Sequence, residues 1–251
     1  MNPWNCLLTV WMAAAALQLP AQPGCLVLPA QAAFVPDGQA DDWPAADCAD
    51  PKRGVRYAMS RDSAFARLLI RIPNDQLQHQ ILICGMTLWL APGQGIRFPI
   101  GLPASQQPSD TYTLQYYREQ LAQDLSPLLR DQPYAELIGL YGRKEPPMLA
   151  DASNPGGLSL ALGQEGADLL LEAELPLDGF PMLAAASLRL ELETGRLGRP
   201  SDLRGYDAAG LNTGPVPTRL DLAESAARQR RLDQYSQFTT PARIKLRLRA
   251  E

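Results

Sequence analysis

The sequence is poor in histidine and has no excess of positive charge. Its 251 residues include one histidine, His79, and 23 Lys and Arg stand against 27 Asp and Glu, for a net charge of -4. One imidazole excludes a histidine-rich metal centre. A Gly-X-Ser-X-Gly turn and a glycine-rich phosphate loop are missing from the sequence. We therefore expect no catalytic residues, no cofactor, no bound metal and no nucleic-acid partner.

The only histidine lies between two glutamines, Gln78 and Gln80. We interpret His79 as an exposed polar residue at the entrance to a strand. A haem site that combines His79 with Met59 or Met86 is the alternative, since methionine and histidine both ligate haem iron.

The first 21 residues predict a secretory signal peptide. Leu7–Leu19 carries no charge, is rich in Leu and Ala, and is too short to span a bilayer. Cleavage is predicted after Ala21, with Ala32 as the alternative, although no Lys or Arg precedes the apolar run. Residues 22–251 would then form one domain in the periplasm or outside the cell, without a transmembrane span.

Cysteine usage agrees with export. Removal of residues 1–21 would leave three cysteines, so one thiol has no partner within the chain. Cys84 belongs to an apolar run and is expected to pack as a small hydrophobic residue. A Cys48–Cys84 disulfide would require α-carbons within about 7 Å. Gln22 stands where a lipoprotein signal has an aliphatic residue, which argues against a lipid anchor at Cys25.

Three segments alternate apolar and charged residues with a period of two, as half-buried strands do. The first is Leu169–Leu175, which alternates with Glu172 and Glu174, and the second is Leu188–Leu192, which alternates with Arg189, Glu191 and Glu193. The third is Ile244–Leu248, whose alternate positions are basic. Opposite charges across strands attract. We therefore predict that the three strands share one antiparallel sheet with solvated charged faces.

The remaining patterns predict further strands and two helices. Leu114, Tyr117, Leu121 and Leu125 recur at helical spacing, with Asp110 as an N-cap, which indicates one amphipathic helix within 110–130 that packs on the core. A second helix is predicted over Arg219–Gln234, and Thr194–Pro217 is predicted as a long loop. Strands are predicted at Val55–Met59, Phe65–Ile72, Ile81–Leu90, Ile96–Ile100, Ala135–Tyr141 and Leu158–Leu162. The prediction is a mainly β protein, an antiparallel β-sandwich with one or two added helices.

Several short motifs carry a family resemblance. Phe34–Gly38, followed by Asp41, Asp42 and Trp43, resembles the opening of carbohydrate-binding module family 9-like (DOMON-like) sandwiches. Further segments are similar to later strands of that superfamily: Arg56–Ser60, Phe65–Ile72, Leu88–Leu90 and Leu171–Leu177. The resemblance implies a jelly-roll sandwich that binds glycans without catalysis.

A second resemblance is to uncharacterised exported proteins of Bacteroidetes-type bacteria. They share the run Gly85–Leu90 and then Gly95–Pro99. The helix within 110–130 departs from a minimal carbohydrate-binding module. The function expected is therefore an exported glycan-binding module of the cell envelope, with a structural or protein-interaction component of the envelope as the alternative.

The candidate ligand-binding residues are Trp43, Asp41 and Asp42. Sugar recognition uses an exposed aromatic ring with polar groups beside it. Trp43 is expected to be exposed, whereas Trp89 lies in an apolar run and is expected in the core. Asp37, Asp41 and Asp42 could instead supply oxygen ligands to calcium, or simply form a turn and a solvated strand entry.

Overall fold

A computed structural model describes residues 25–29, 34–43, 48–98, 100–102, 106–123, 125, 134–139, 148–151, 158–198 and 219–249. The predicted signal peptide, both predicted cleavage sites and most of the predicted 194–217 loop lie outside these residues. The described residues confirm a mainly β sandwich with added helices.

The strands follow the chain from the N-terminus to the C-terminus. They are β1 Cys25–Leu26, β2 Leu28–Pro29, β3 Cys48–Ala49, β4 Arg56–Arg61, β5 Phe65–Ile72, β6 Met86–Ala91, β7 Gln94–Arg97, β8 Tyr134–Ile138, β9 Met148–Asp151, β10 Ser159–Glu165, β11 Asp168–Pro176, β12 Ser187–Thr194 and β13 Arg243–Arg249. The helices are α1 Asp75–Cys84, α2 Thr111–Leu121 and α3 Arg219–Thr239, and a short 3₁₀ helix covers Pro181–Ala184.

Within the described residues these strands form two sheets. The first sheet has the order β1-β13-β12-β6-β7-β8-β9, and the second has the order β10-β11-β5-β4-β2 with β3 also on β4. The long strands pair antiparallel, whereas the two-residue strands β1 and β2 pair parallel with β13 and β4. The prediction of one shared sheet is wrong, because β11 belongs to the second sheet and β12 and β13 belong to the first.

The alternation of β13 decides which side chains enter the core. Ile244, Leu246 and Leu248 are buried between the sheets, and the four basic residues of the strand are exposed. In the register of the first sheet, Leu246 lies opposite Leu190 of β12. A period of two requires this separation of faces, and the strand prediction is confirmed.

The two predicted helices are present, with shifted ends. Asp110 caps α2 by accepting hydrogen bonds from Tyr112 N and Thr113 N, as predicted. Leu114 and Leu121 are buried in the core, so the apolar stripe packs inward. The helix ends at Leu121, before the end of the predicted 110–130 segment. Helix α3 continues to Thr239 and buries Tyr235 and Phe238 in its last turns, together with neighbouring core residues.

One predicted strand is wrong. The apolar run predicted as a strand over Ile81–Leu90 divides at Gly85 into the end of α1 and the start of β6. Gly85 has φ 82°, and a Cβ there would lie 2.9 Å from the carbonyl oxygen of Ile100, so only glycine fits.

Asn74 caps α1 by accepting from Leu77 N at 2.9 Å. His79 is therefore a helical residue, 7% exposed, and the prediction that it is exposed is also wrong.

The disulfide joins Cys25 to Cys48, whose α-carbons are 5.6 Å apart, so the pairing considered between Cys48 and Cys84 is wrong. Since β1 belongs to the first sheet and β3 to the second, this bond links the two sheets. Cys84 is a free thiol that packs against the core, as predicted, and burial raises its pKa to about 12. Among the described residues, no helix is long and apolar enough to cross a membrane.

Candidate functional site

Trp43 is buried, so the prediction of an exposed ring is wrong. It is 7% exposed and packs with Ala58 and Leu69 in a small cluster on the outer face of the second sheet. The ring meets that of Phe34 edge to face, with centroids 5.4 Å apart. A ring covered in this way offers no flat face to a sugar.

The reason for its burial is a carboxylate on β11. Glu172 is fully buried and accepts three hydrogen bonds, from Trp43 Nε1 at 2.7 Å, Asp37 N at 3.0 Å and Gly38 N at 2.7 Å. Burial raises the pKa of Glu172, and the three donors oppose that rise. The face of β11 expected to be solvated is therefore covered at Glu172 by residues 34–43, which this carboxylate holds in place.

The two aspartates beside Trp43 form part of the same covering turn. Asp41 is exposed, whereas Asp42 is partly buried, and burial raises the pKa of its carboxyl group. Asp37 closes its own turn by accepting from Gln39 N at 2.9 Å. Within the described part of the chain, no three His, Cys, Asp or Glu side chains come together as a set that could hold a metal ion. The structure thus brings Asp41, Asp42 and Trp43 together, but around a buried ring.

Trp89 lies on the outer face of the first sheet, and the prediction that it belongs to the core is wrong. Its neighbours Leu88 and Leu90 point inward and are buried, while Trp89 is partly exposed. The indole Nε1 donates to Glu193 Oε2 at 2.6 Å. The ring rests over Gly95, where a Cβ would lie 2.8 Å from Trp89 Cε3. Alternation along β6, with a glycine opposite across the turn, is the signal that could have indicated this orientation.

Charged side chains of opposite sign surround Trp89. In the sheet register Glu191 of β12 lies opposite Trp89 on one side and opposite Lys245 of β13 on the other. Arg243 pairs with Glu193 at 3.0 Å and approaches Glu191 at 3.6 Å. The indole is therefore fixed within a charged surface that offers both donors and acceptors.

Basic side chains continue along the same two strands, from beside Trp89 to their other end. We call the side chains of Arg189, Lys245, Arg247 and Arg249 the basic strip. All four are exposed, and none forms an ion pair with an acidic side chain of the described residues. A concavity of about 420 Å³ is lined by Ser187–Glu191 and Lys245–Arg249. The alternation of basic residues along β13 predicts a solvated charged face, and it does not by itself indicate a binding site.

A separate surface lies on α2. Tyr112 and Tyr116 are 61% and 57% exposed and lie four residues apart, hence on one helix face. Arg231 of α3 lies 4.5 Å from the Tyr112 ring centroid and donates to its hydroxyl at 3.0 Å. Gln120 donates to the Tyr116 hydroxyl at 2.6 Å. Both rings are held by polar neighbours and remain accessible.

The chain matches no family model, no curated protein and no solved structure. Among the described residues, two surfaces have the chemistry to bind a ligand or a partner: one around Trp89 and the basic strip, and one around Tyr112 and Tyr116.

Proposed function

We propose that this chain is an exported, non-catalytic module of the cell envelope that binds a glycan on the outer face of the first sheet. The observation that carries the proposal is the position of Trp89, a partly exposed indole supported from below by Gly95 and tethered by Glu193. The resemblance to carbohydrate-binding module family 9-like domains supports the same class of ligand.

Sugar chemistry suits this surface. A pyranose presents C–H groups on one face, which pack on a flat apolar ring, and hydroxyl groups at its edge, which need donors and acceptors. Trp89 supplies the ring, and Glu191, Glu193 and Arg243 supply charged hydrogen-bonding groups beside it. The ring is fixed before binding, so little conformational freedom is lost when a ligand arrives.

The non-catalytic part of the proposal is supported by how the reactive groups are used. His79 is buried within α1, and the raised pKa of Cys84, about 12, leaves almost no nucleophilic thiolate at neutral pH. Glycoside hydrolysis needs one carboxylic acid that donates a proton. Both carboxylate oxygens of Glu193 are engaged within the protein, Oε2 by Trp89 Nε1 and Oε1 by Arg243.

The proposal is tested by measuring glycan binding with three variants. Trp89→Ala should abolish binding found in a glycan panel, whereas Trp89→Phe should retain most of it, because a flat ring is preserved. Tyr116→Ala is the matched control, since it removes an exposed ring from α2 and should leave binding unchanged. Circular dichroism and urea unfolding establish that each variant is folded.

Two results would contradict the glycan site. Undiminished affinity in a folded Trp89→Ala variant would exclude this face. Absence of binding across a panel of neutral and acidic glycans would favour the protein-interaction alternative.

That alternative is supported by the exposed rings of Tyr112 and Tyr116, because tyrosines are enriched where proteins contact one another. Its test places a photocrosslinking amino acid at position 116 in cells that export the protein. A single partner, crosslinked from position 116 and not from the exposed position of Glu165 on the second sheet, would support this function.

A further inference from the structure

The outer face of β12 and β13 changes its charge pairing along its length. Near Trp89 the cross-strand partners have opposite charges, with Glu191 opposite Lys245. At the other end Arg189 lies directly opposite Arg247. Opposite charges facing each other stabilise an antiparallel pair, and like charges destabilise it. The Arg189–Arg247 pair is therefore unfavourable, and neither arginine forms an ion pair with an acidic side chain of the described residues.

A bound anion would remove this repulsion, and the geometry indicates what kind. Lys245, Arg247 and Arg249 follow one another at two-residue steps, which corresponds to roughly 7 Å between successive positions along a strand. Arg189 is a diagonal neighbour of Trp89, a separation of roughly 7–8 Å. Trp89, Arg189 and Arg247 thus lie on three adjacent strands of one face, where an extended chain molecule that crosses the strands can contact all three.

We infer that the glycan of this site is an unbranched acidic oligosaccharide, with one sugar ring on Trp89 and the carboxylates of its neighbouring sugar units on Arg189 and Arg247. The inference rests on the proposed glycan-binding function and names the class of glycan. Guanidinium groups bind carboxylates through two parallel hydrogen bonds. The concavity of about 420 Å³ along the strip has the volume of an oligosaccharide unit rather than of a single small anion.

The charge of the whole chain makes the attraction local. Its net charge is -4, so a polyanion is repelled by the protein as a whole and attracted only at the basic strip. Binding should therefore depend on sugar stacking together with charge, which separates an acidic glycan from duplex DNA or inorganic polyphosphate.

The test measures binding of hexagalacturonate and of neutral cellohexaose by calorimetry. The Arg189→Gln/Arg247→Gln double variant should bind hexagalacturonate at least about tenfold more weakly, because two charge-assisted contacts are lost. Arg71→Gln is the control, since it removes a cation from the second sheet, where Arg71 pairs with Glu165 and Asp168. It should leave the affinity unchanged, and added salt should weaken binding of the parent chain.

The outcomes separate this inference from the function on which it rests. If the parent chain and the double variant bind cellohexaose with equal affinity and neither prefers hexagalacturonate, the inference that the glycan is acidic is overturned. The proposed Trp89 site would remain intact in that case. If Arg71→Gln loses as much affinity for hexagalacturonate as the double variant, the binding is general charge attraction and the inference is overturned. Binding of DNA and polyphosphate as tight as that of hexagalacturonate would overturn it in the same way. Failure of both oligosaccharides to bind, with no other glycan bound, would overturn both proposals.

Discussion

Glu172→Gln tests how residues 34–43 are held on the second sheet. The native carboxylate accepts from Trp43 Nε1 with one oxygen and from the backbone N–H groups of Asp37 and Gly38 with the other. An amide has only one acceptor oxygen, and its NH₂ group is a donor. Whichever way the amide turns, its NH₂ faces a donor, and at least one buried N–H loses its partner.

The cost of Glu172→Gln depends on which donor loses its acceptor. The amide should keep its oxygen toward the two backbone donors, because that orientation leaves only the Trp43 indole without an acceptor. A buried donor without a partner costs about 1–3 kcal/mol. Removal of a desolvated charge offsets part of this cost, so we expect the free energy of unfolding to fall by about 2 kcal/mol in Glu172→Gln.

Urea unfolding followed by circular dichroism measures this change. The matched control is Glu165→Gln, which alters an exposed glutamate paired with Arg71 and should cost less than about 0.5 kcal/mol. Trp43→Phe removes the indole donor, so it should cost less in the Glu172→Gln background than in the parent chain. Equal costs for Glu172→Gln and Glu165→Gln, or strict additivity with Trp43→Phe, would show that the bond between Glu172 and Trp43 does not stabilise the fold.

Three further predictions concern stability. Leu246→Asp buries an unpaired charge and should cost more than about 3 kcal/mol, whereas exposed Lys245→Gln should stay within about 0.5 kcal/mol; equal shifts in urea unfolding would contradict the β13 alternation. Replacing Cys25 and Cys48 by serine should lower the free energy of unfolding by about 3 kcal/mol, since the disulfide closes a loop over a sequence separation of 23. Reduction of the parent chain with dithiothreitol should have the same effect, and an unchanged urea midpoint would count against the bond. Burial raises the pKa of Glu172 above its ordinary 4.5, so the folded chain holds this proton more tightly than the unfolded chain. The contribution of Glu172 to the free energy of unfolding should therefore be most favourable below pH 4.5 and be lost as pH rises through the raised pKa. The difference in stability between the parent and Glu172→Gln should depend on pH, and a pH-independent difference would contradict the shift.

The features that could be predicted from the sequence depend on local periodicity and local hydrogen bonds. The alternation of β13 determines its two faces, because successive side chains of a strand point to opposite sides. The cap at Asp110 forms with residues two and three positions away. Such signals lie within a few residues and need no knowledge of the rest of the fold.

Other features depend on partners that are distant in sequence. The burial of Trp43 depends on Glu172, which follows it by 129 residues. Glu172 looks like a solvated strand residue until the covering segment is known. The prediction for Trp89 is wrong because the apolar run Ile81–Leu90 indicates one buried strand, whereas Gly85 separates a helix from β6.

Local period and propensity are enough to indicate a mainly β sandwich with amphipathic helices and the charged outer face of β13. The surroundings of Trp43 and Trp89, and the pairing of charges across strands, depend on contacts that local patterns do not contain. Strand order places Arg189 against Arg247 and Glu191 beside Trp89, and a covering segment hides Trp43. Register and coverage arise from contacts between residues far apart in the chain, and the candidate site is built from those contacts.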